Sequence, residues 1–201
     1  DELCDECSFR SNEEKAAIMH QKTSYHASDS SQQERFSSHR KPLHQGHGTP
    51  CDMRSYKQKK PFLQGCQLAG GNFFAADFGG AHLENSNLKE ANLENAHLEK
   101  SFLLDAHLEE ANVHGANFNN ADLSRANLVR ANLQYTKMSG TKLRHADLNS
   151  ADLTHARLDK VHAKKASFRG AILVAAKLRH SNFESTNFVG ADLSEADIEG
   201  S

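Results

Sequence analysis

Four residues near the amino terminus have the side chains of a metal centre: Cys4-x-x-Cys7 and His44-x-x-His47. Thiolate and imidazole are zinc ligands, and each pair has the internal spacing of a Cys2His2 site. Cys4-x-x-Cys7 equally has the spacing of a redox-active or disulfide-forming pair, and Cys51 lies close behind the histidines. The long separation between the two pairs favours a third reading, in which Cys and His are carried incidentally by a flexible segment. The expectation is therefore no metal and no cofactor. A fourth cysteine, Cys66, falls at a small inward position of the five-residue pattern that occupies the rest of the chain and reads as a buried, inert thiol.

The elements that would have to position these residues are poor in core-forming side chains. Residues 1–60 are rich in Ser, Gln, Lys and His and hold almost no large aliphatic residues, so they read as a largely disordered polar segment. One short helix is expected over 11–21, where Ser11 and Glu14 form a capping box ahead of "EEKAAIMHQ". The stretch 30–50 reads as linker. Residues 52–62, with Tyr56 and Phe62, are expected to cover the open end of the repeats that begin at Leu63.

Beyond residue 60 the chain is periodic. Every fifth residue from Leu63 to Ile198 is a large apolar side chain, with Ala163 the one departure. Two places earlier stands a small residue, mostly Ala, with Ser86, Ser101, Thr136, Thr141, Ser181 and Thr186 as variants. An interval of five matches neither an amphipathic helix nor a strand. It fits a solenoid whose unit is one side of a square coil, with the large and small residues inward and the other three outward. Four sides close a coil of 20 residues, which places equivalent positions of successive coils above one another. At Ala163 the small position is filled by Val161, a volume-conserving exchange. Asn72, Asn92, Asn112 and Asn132 stand 20 apart and should bond through their side-chain amides.

Over residues 61–200 this pattern resembles the pentapeptide-repeat family, with its consensus [S/T/A/V]-[D/N]-[L/F]-[S/T/R]-X. The resemblance implies an all-β fold, a right-handed quadrilateral parallel β-helix of about seven coils. It also implies a class of partners. The best understood members resemble B-form DNA in size and charge and bind type II topoisomerases, some protecting the enzyme from quinolones. A DNA-mimic-like modulator of DNA gyrase or topoisomerase is accordingly one expectation.

The charge of this chain points to another. Residues 61–201 carry 14 Lys/Arg and 17 Asp/Glu, a net charge of -3, and the charge is banded. Residues 81–110 hold seven acids and two bases, whereas residues 123–180 hold twelve bases and three acids. A uniform DNA mimic would be acidic throughout. With 20-residue stacking, Lys142 lies over His162, Arg144 over Lys164, and Arg125, His145 and Lys165 form one column on the same side. The expected function is a non-enzymatic, rod-shaped protein-binding scaffold whose basic face, these seven residues, meets an acidic partner.

No Ser/His/Asp grouping, phosphate-cradling Gly loop or helix-borne metal motif suggests an enzyme. The outward histidines, among them His82, His97, His107, His114, His155 and His180, read as solvated surface. Phe73 and Phe78 at one end, and Phe168, Phe183 and Phe188 at the other, should plug the terminal coils. The repeat runs to Ile198 with no helix after it, so a homodimer is expected through the last coil, with Phe183, Phe188 and Ile198 at the contact. No run approaches the ~20 apolar residues of a membrane span, and no signal peptide is present. The chain starts at Asp1 rather than Met, which leaves the compartment open, with soluble and cytoplasmic the expectation.

Overall fold

The structure is a computed structural model that describes Cys51 and residues 62–201. The expected polar segment 1–60, its helix over 11–21, and Cys4, Cys7, His44 and His47 lie outside the described residues, Cys51 apart.

From Phe62 onward the backbone repeats one five-residue conformation. The residue before each large apolar one pairs in parallel with its counterpart 20 residues later, from Phe62 with His82 through to Lys177 with Asp197. Each pairing is an isolated rung, because the chain turns a corner before a second can form. The rungs are held from both sides: Leu63 N donates to His82 O at 2.7 Å, and Asn87 N donates back to Cys66 O at 2.8 Å. Rungs every five residues and partners 20 residues apart give four sides per coil. We number them by their inward centres: side 1 runs Leu63 to Phe183, side 2 Leu68 to Phe188, side 3 Phe73 to Leu193 and side 4 Phe78 to Ile198.

Each corner is a tight turn. Cys66 N donates to Leu63 O at 3.1 Å, and the residue between them, Gly65, has a φ of 69°. This is the sign pattern of a type II turn, which needs a positive φ at its third residue. Every fifth residue from Gly65 to Gly200 repeats it, with φ between 51° and 73°, and most of them carry side chains, Lys100, Arg125 and Tyr135 included. A left-handed conformation costs a residue with a Cβ on the order of 1 kcal/mol or more, and persists only where surrounding contacts impose it. Here the stacked rungs impose it.

Asn and Asp are common at the rung position for a local reason. Their Oδ1 accepts the N–H two residues on, at the entry to the corner: Glu94 N to Asn92 at 3.1 Å, Ser124 N to Asp122 at 3.1 Å, Asn149 N to Asp147 at 2.9 Å. The same amides also form the expected ladder, with Nδ2 of Asn92, Asn112 and Asn132 each donating to the Oδ1 one coil back, at 3.2, 3.3 and 3.2 Å.

The core is the stack of large and small inward residues. Leu83 through Leu178 are buried at the large positions, and Val161 and Ala163 are both buried, so the exchange of sizes keeps the interior filled. Buried hydroxyls are satisfied by main-chain carbonyls, as in Ser86 Oγ to Leu83 O at 2.7 Å and Thr141 Oγ1 to Phe118 O at 2.8 Å. Cys66 differs from expectation. It is buried, but it forms a disulfide with Cys51 rather than standing as a free thiol.

The two ends of the rod are unalike. In the first coil Leu63, Leu68, Phe73 and Phe78 are all buried. In the last, Phe183 and Phe188 pack on each other at 5.3 Å and Phe188 stacks on Phe168 at 5.1 Å, yet both stay half-exposed or more, and Leu193 and Ile198 are 38% and 60% exposed. The rings expected to plug this end leave it open. Among the described residues, the main-chain N–H groups of Phe183, Phe188, Leu193 and Ile198 meet no acceptor.

Candidate interaction surface

The seven residues of the expected basic face come together on side 1 and its adjoining corner. Lys142 and His162 are successive rungs. Arg144 and Lys164 lie at the entries to the corners, and Arg125, His145 and Lys165 occupy the corners themselves with φ of 58°, 58° and 60°. Six are exposed and Lys164 is half-buried.

Their charges are not equally available. Arg125 is clamped on Asp105 one coil back, Nε to Oδ1 at 2.8 Å and Nη2 to Oδ2 at 2.5 Å. Lys142 reaches Asp122 at 3.2 Å, and Lys164 reaches Glu184 at 2.7 Å. The carboxyl pKa values record these contacts. Hydrogen bonding and attraction from Arg125 hold Asp105 below the usual value, and Lys164 does the same for Glu184. At Asp122, burial pushes upward, but hydrogen bonds from Ser124 and Lys142 outweigh it and the net shift is downward. Arg144, His145, His162 and Lys165 make no ion pair within 4.0 Å among the described residues.

Three further outward groupings go beyond the sequence expectations. On side 1, His82 is sandwiched between Phe62 and Phe102, with ring centroids 5.0 and 4.7 Å apart and interplanar angles of 8° and 13°, and its Nδ1 lies 3.0 Å from Glu84 Oε1. The rings cover one another's faces and present only edges to solvent. At the corners of side 3, Tyr135 lies 5.4 Å from His114 and 5.0 Å from His155. On side 4, Lys137, Arg157 and Lys177 occupy three successive rungs. All three are rows of residues 20 apart, so the arithmetic that assembles the basic face finds them too.

The outward histidines do not gather into a site. His97 and His107 each face the Glu two residues on, at 3.7 and 3.4 Å, as His82 does. Among the described residues, no three His, Cys, Asp or Glu side chains are placed to hold a metal ion, and no helix is long and apolar enough to cross a membrane.

Residues 86–125 match the family model described as "Pentapeptide repeats", in eight copies, and residues 111–188 match "Pentapeptide repeat region". Together the matches span 86–188, just over half of the 201 residues. No curated protein matches the chain. Solved structures similar to it include HetL, a pentapeptide repeat protein involved in heterocyst differentiation regulation from the cyanobacterium Nostoc sp. Strain PCC 7120. It is 23% identical over 74% of this chain and 91% of that one, with a TM-score of 0.34. Rfr23 from the cyanobacterium Cyanothece 51142 is 24% identical over 73% and 95%, with a TM-score of 0.44. QnrB1, a plasmid-mediated fluoroquinolone resistance protein, is 21% identical over 70% and 77%, with a TM-score of 0.45.

Proposed function

This chain belongs to the pentapeptide-repeat family, and we propose that it acts within it as a non-enzymatic scaffold: residues 61–200 form a right-handed quadrilateral β-helix of seven coils whose basic side binds an acidic protein partner. The observation that carries this reading is the set of cations on side 1 that the rod leaves unneutralised. Arg144 and Lys165 are exposed on adjacent coils with no ion pair within 4.0 Å among the described residues, and His145 and His162 stand between them. Arg125, Lys142 and Lys164 complete the surface but must exchange an internal carboxylate for an external one. Exposed charges act through solvent over about 8 Å at physiological ionic strength. Binding should therefore weaken steeply with salt, and it should tighten as His145 and His162 take up protons on acidification.

The test is a titration of fluorescent poly-L-glutamate by anisotropy at low and at physiological ionic strength. Replacing Arg144, Lys164 and Lys165 together by Ser should abolish side-1 binding and leave the melting temperature unchanged. Equal binding by that variant would overturn the site. A supercoiling assay with DNA gyrase separates the competing reading, since a scaffold leaves the rate unchanged and a topoisomerase modulator alters it.

We also propose that the last coil is a contact with a second copy of the chain. Exposed Ile198 and Leu193, half-exposed Phe183 and Phe188, and a row of unpaired N–H groups make an apolar edge that another coil would cover. Light scattering should report a dimer, and Ile198→Lys should dissociate it. A monomer at tens of micromolar would count against the contact.

A further inference from the structure

We propose that the ladder Lys137, Arg157 and Lys177 on side 4 is the docking strip for an extended acidic segment of the partner, a surface separate from the basic face of side 1. This deepens the scaffold reading and rests on it.

The rod neutralises most of its long cations vertically. Arg125 closes on Asp105, Arg130 on Glu110, Lys142 on Asp122 and Lys164 on Glu184, each across one coil. Side 4 breaks that habit for three coils running. Lys137 pairs as a rung with Arg157, and Arg157 with Lys177, so three cationic side chains are stacked directly on neighbouring strands. All three are exposed, and among the described residues none makes an ion pair within 4.0 Å. Directly opposed like charges destabilise adjacent strands. Folding gains nothing from this column, whereas an external anion would relieve it.

The shape of the column selects the anion. It is one side chain wide and bounded by Asn117 on one end and Asp197 on the other. Its span is about 10 Å at ~4.8 Å per coil, the reach of three or four residues of extended chain at ~3.4 Å each. At its centre, Arg157 offers a planar fork that suits a carboxylate, with a lysine point charge on either side. Lys160, exposed at the next corner, extends the positive potential sideways.

Two features favour a polypeptide over a nucleic acid. The side chains flanking the ladder, Ser139, Asp159, Lys160, Arg179 and His180, include no Phe, Tyr or Trp on which bases could stack. Asp159 is half-buried beside Arg157, and its Oδ1 accepts no hydrogen bond among the described residues. A phosphodiester chain would set another anion against that carboxylate. A peptide instead brings N–H groups along with its own carboxylates.

The experiment titrates full-length protein with fluorescent poly-L-glutamate at low ionic strength and repeats it with duplex DNA of equal total charge. The variants are the ladder triple Lys137→Gln/Arg157→Gln/Lys177→Gln, the single Arg157→Lys, and the side-1 triple Arg144→Ser/Lys164→Ser/Lys165→Ser. The ladder triple should bind poly-L-glutamate about tenfold or more weakly, and Arg157→Lys, which keeps the charge and loses the fork, should fall between it and wild type. The melting temperature of the ladder triple should be unchanged or higher. Loss in the side-1 triple with none in the ladder triple would overturn this inference and leave the scaffold reading standing. No loss in either, or no binding by wild type, would overturn both. Preference for duplex DNA over poly-L-glutamate would overturn the polypeptide assignment.

Discussion

Arg125 sits one coil above Asp105 and closes on it with two hydrogen bonds, 2.8 and 2.5 Å, so the first cation of the basic side is already engaged by the rod itself. Asp105→Asn would release it. Because the pair is exposed, stability should change little, as for most surface ion pairs. Affinity for poly-L-glutamate should rise, since one more cation becomes free to bind. Chemical denaturation and anisotropy measure the two effects separately, and weaker binding by this variant would contradict the assignment of Arg125 to the surface.

The interior admits no such adjustment. Leu133 is completely buried, with Val113 and Leu153 at the equivalent positions below and above it. Leu133→Ala should cost about 2–5 kcal/mol, the range for large-to-small changes in close-packed cores. Leu133→Asp would place an unpaired charge in the stack and should prevent folding. Circular dichroism melts of the two variants check both outcomes.

Acid should undo the vertical ion pairs in a defined window. Asp105, Asp122 and Asp197 have pKa values held below the ordinary 3.8, and the causes are local: Arg125 for Asp105, Ser124 and Lys142 overcoming burial for Asp122, and Arg179 for Asp197. A carboxyl depressed in the folded state contributes stability that is complete above its unfolded value and is lost as the pH falls through its folded value. The melting temperature contributed by these groups should thus be level from neutrality to about pH 4 and fall below it. In Asp105→Asn/Asp122→Asn the acid-side fall should be shallower, by the same scan.

Asn112 is the middle of the amide ladder and a corner clasp at once. Its Oδ1 accepts from His114 N at 3.3 Å and from Asn132 Nδ2 at 3.2 Å, while its Nδ2 donates to Asn92 at 3.3 Å. Asn112→Ala should cost about 1–3 kcal/mol, because half-buried partners on both sides lose their mates. Asn112→Asp keeps the clasp but places a carboxylate against Glu94, so it should recover only part of the loss. Denaturant midpoints rank the three proteins.

The repeat makes the frame of the molecule readable in the sequence. Leu or Phe at every fifth residue sets the side, four sides set the coil, and the exchange of Val161 and Ala163 is visible as an inversion of size. The double duty of Asn92 or Asn112 is only half visible, because the ladder comes from spacing, whereas the clasp on the N–H two residues on depends on the corner's conformation. The positive φ at positions as unlike as Lys100 and Tyr135 leaves no mark in composition, since stacking imposes it from outside the unit. Cys66 is legible as buried but not as bonded, for its partner Cys51 lies outside the repeat and obeys none of its arithmetic. At the basic side, spacing brings Arg125, Lys142 and Lys164 together, but a count of cations alone misses their neutralisation. The acids that answer them, Asp105, Asp122 and Glu184, sit at the same or nearby offsets and show how much of that charge is internal.

The 20-residue coil also makes the outer surface an address system, in which one coordinate is the coil and the other is position around it. Removing or duplicating 20 residues would change the distance between two features by about 4.8 Å and leave them pointing the same way. Removing five would carry everything downstream around by one side, turning the ladder of Lys137, Arg157 and Lys177 away from its present bearing on the aromatic edge at Phe62, His82 and Phe102. The inward pattern would be intact in both cases. In such a molecule spacing and orientation are separately adjustable by length alone, so a partner's geometry can be matched without redesigning a core.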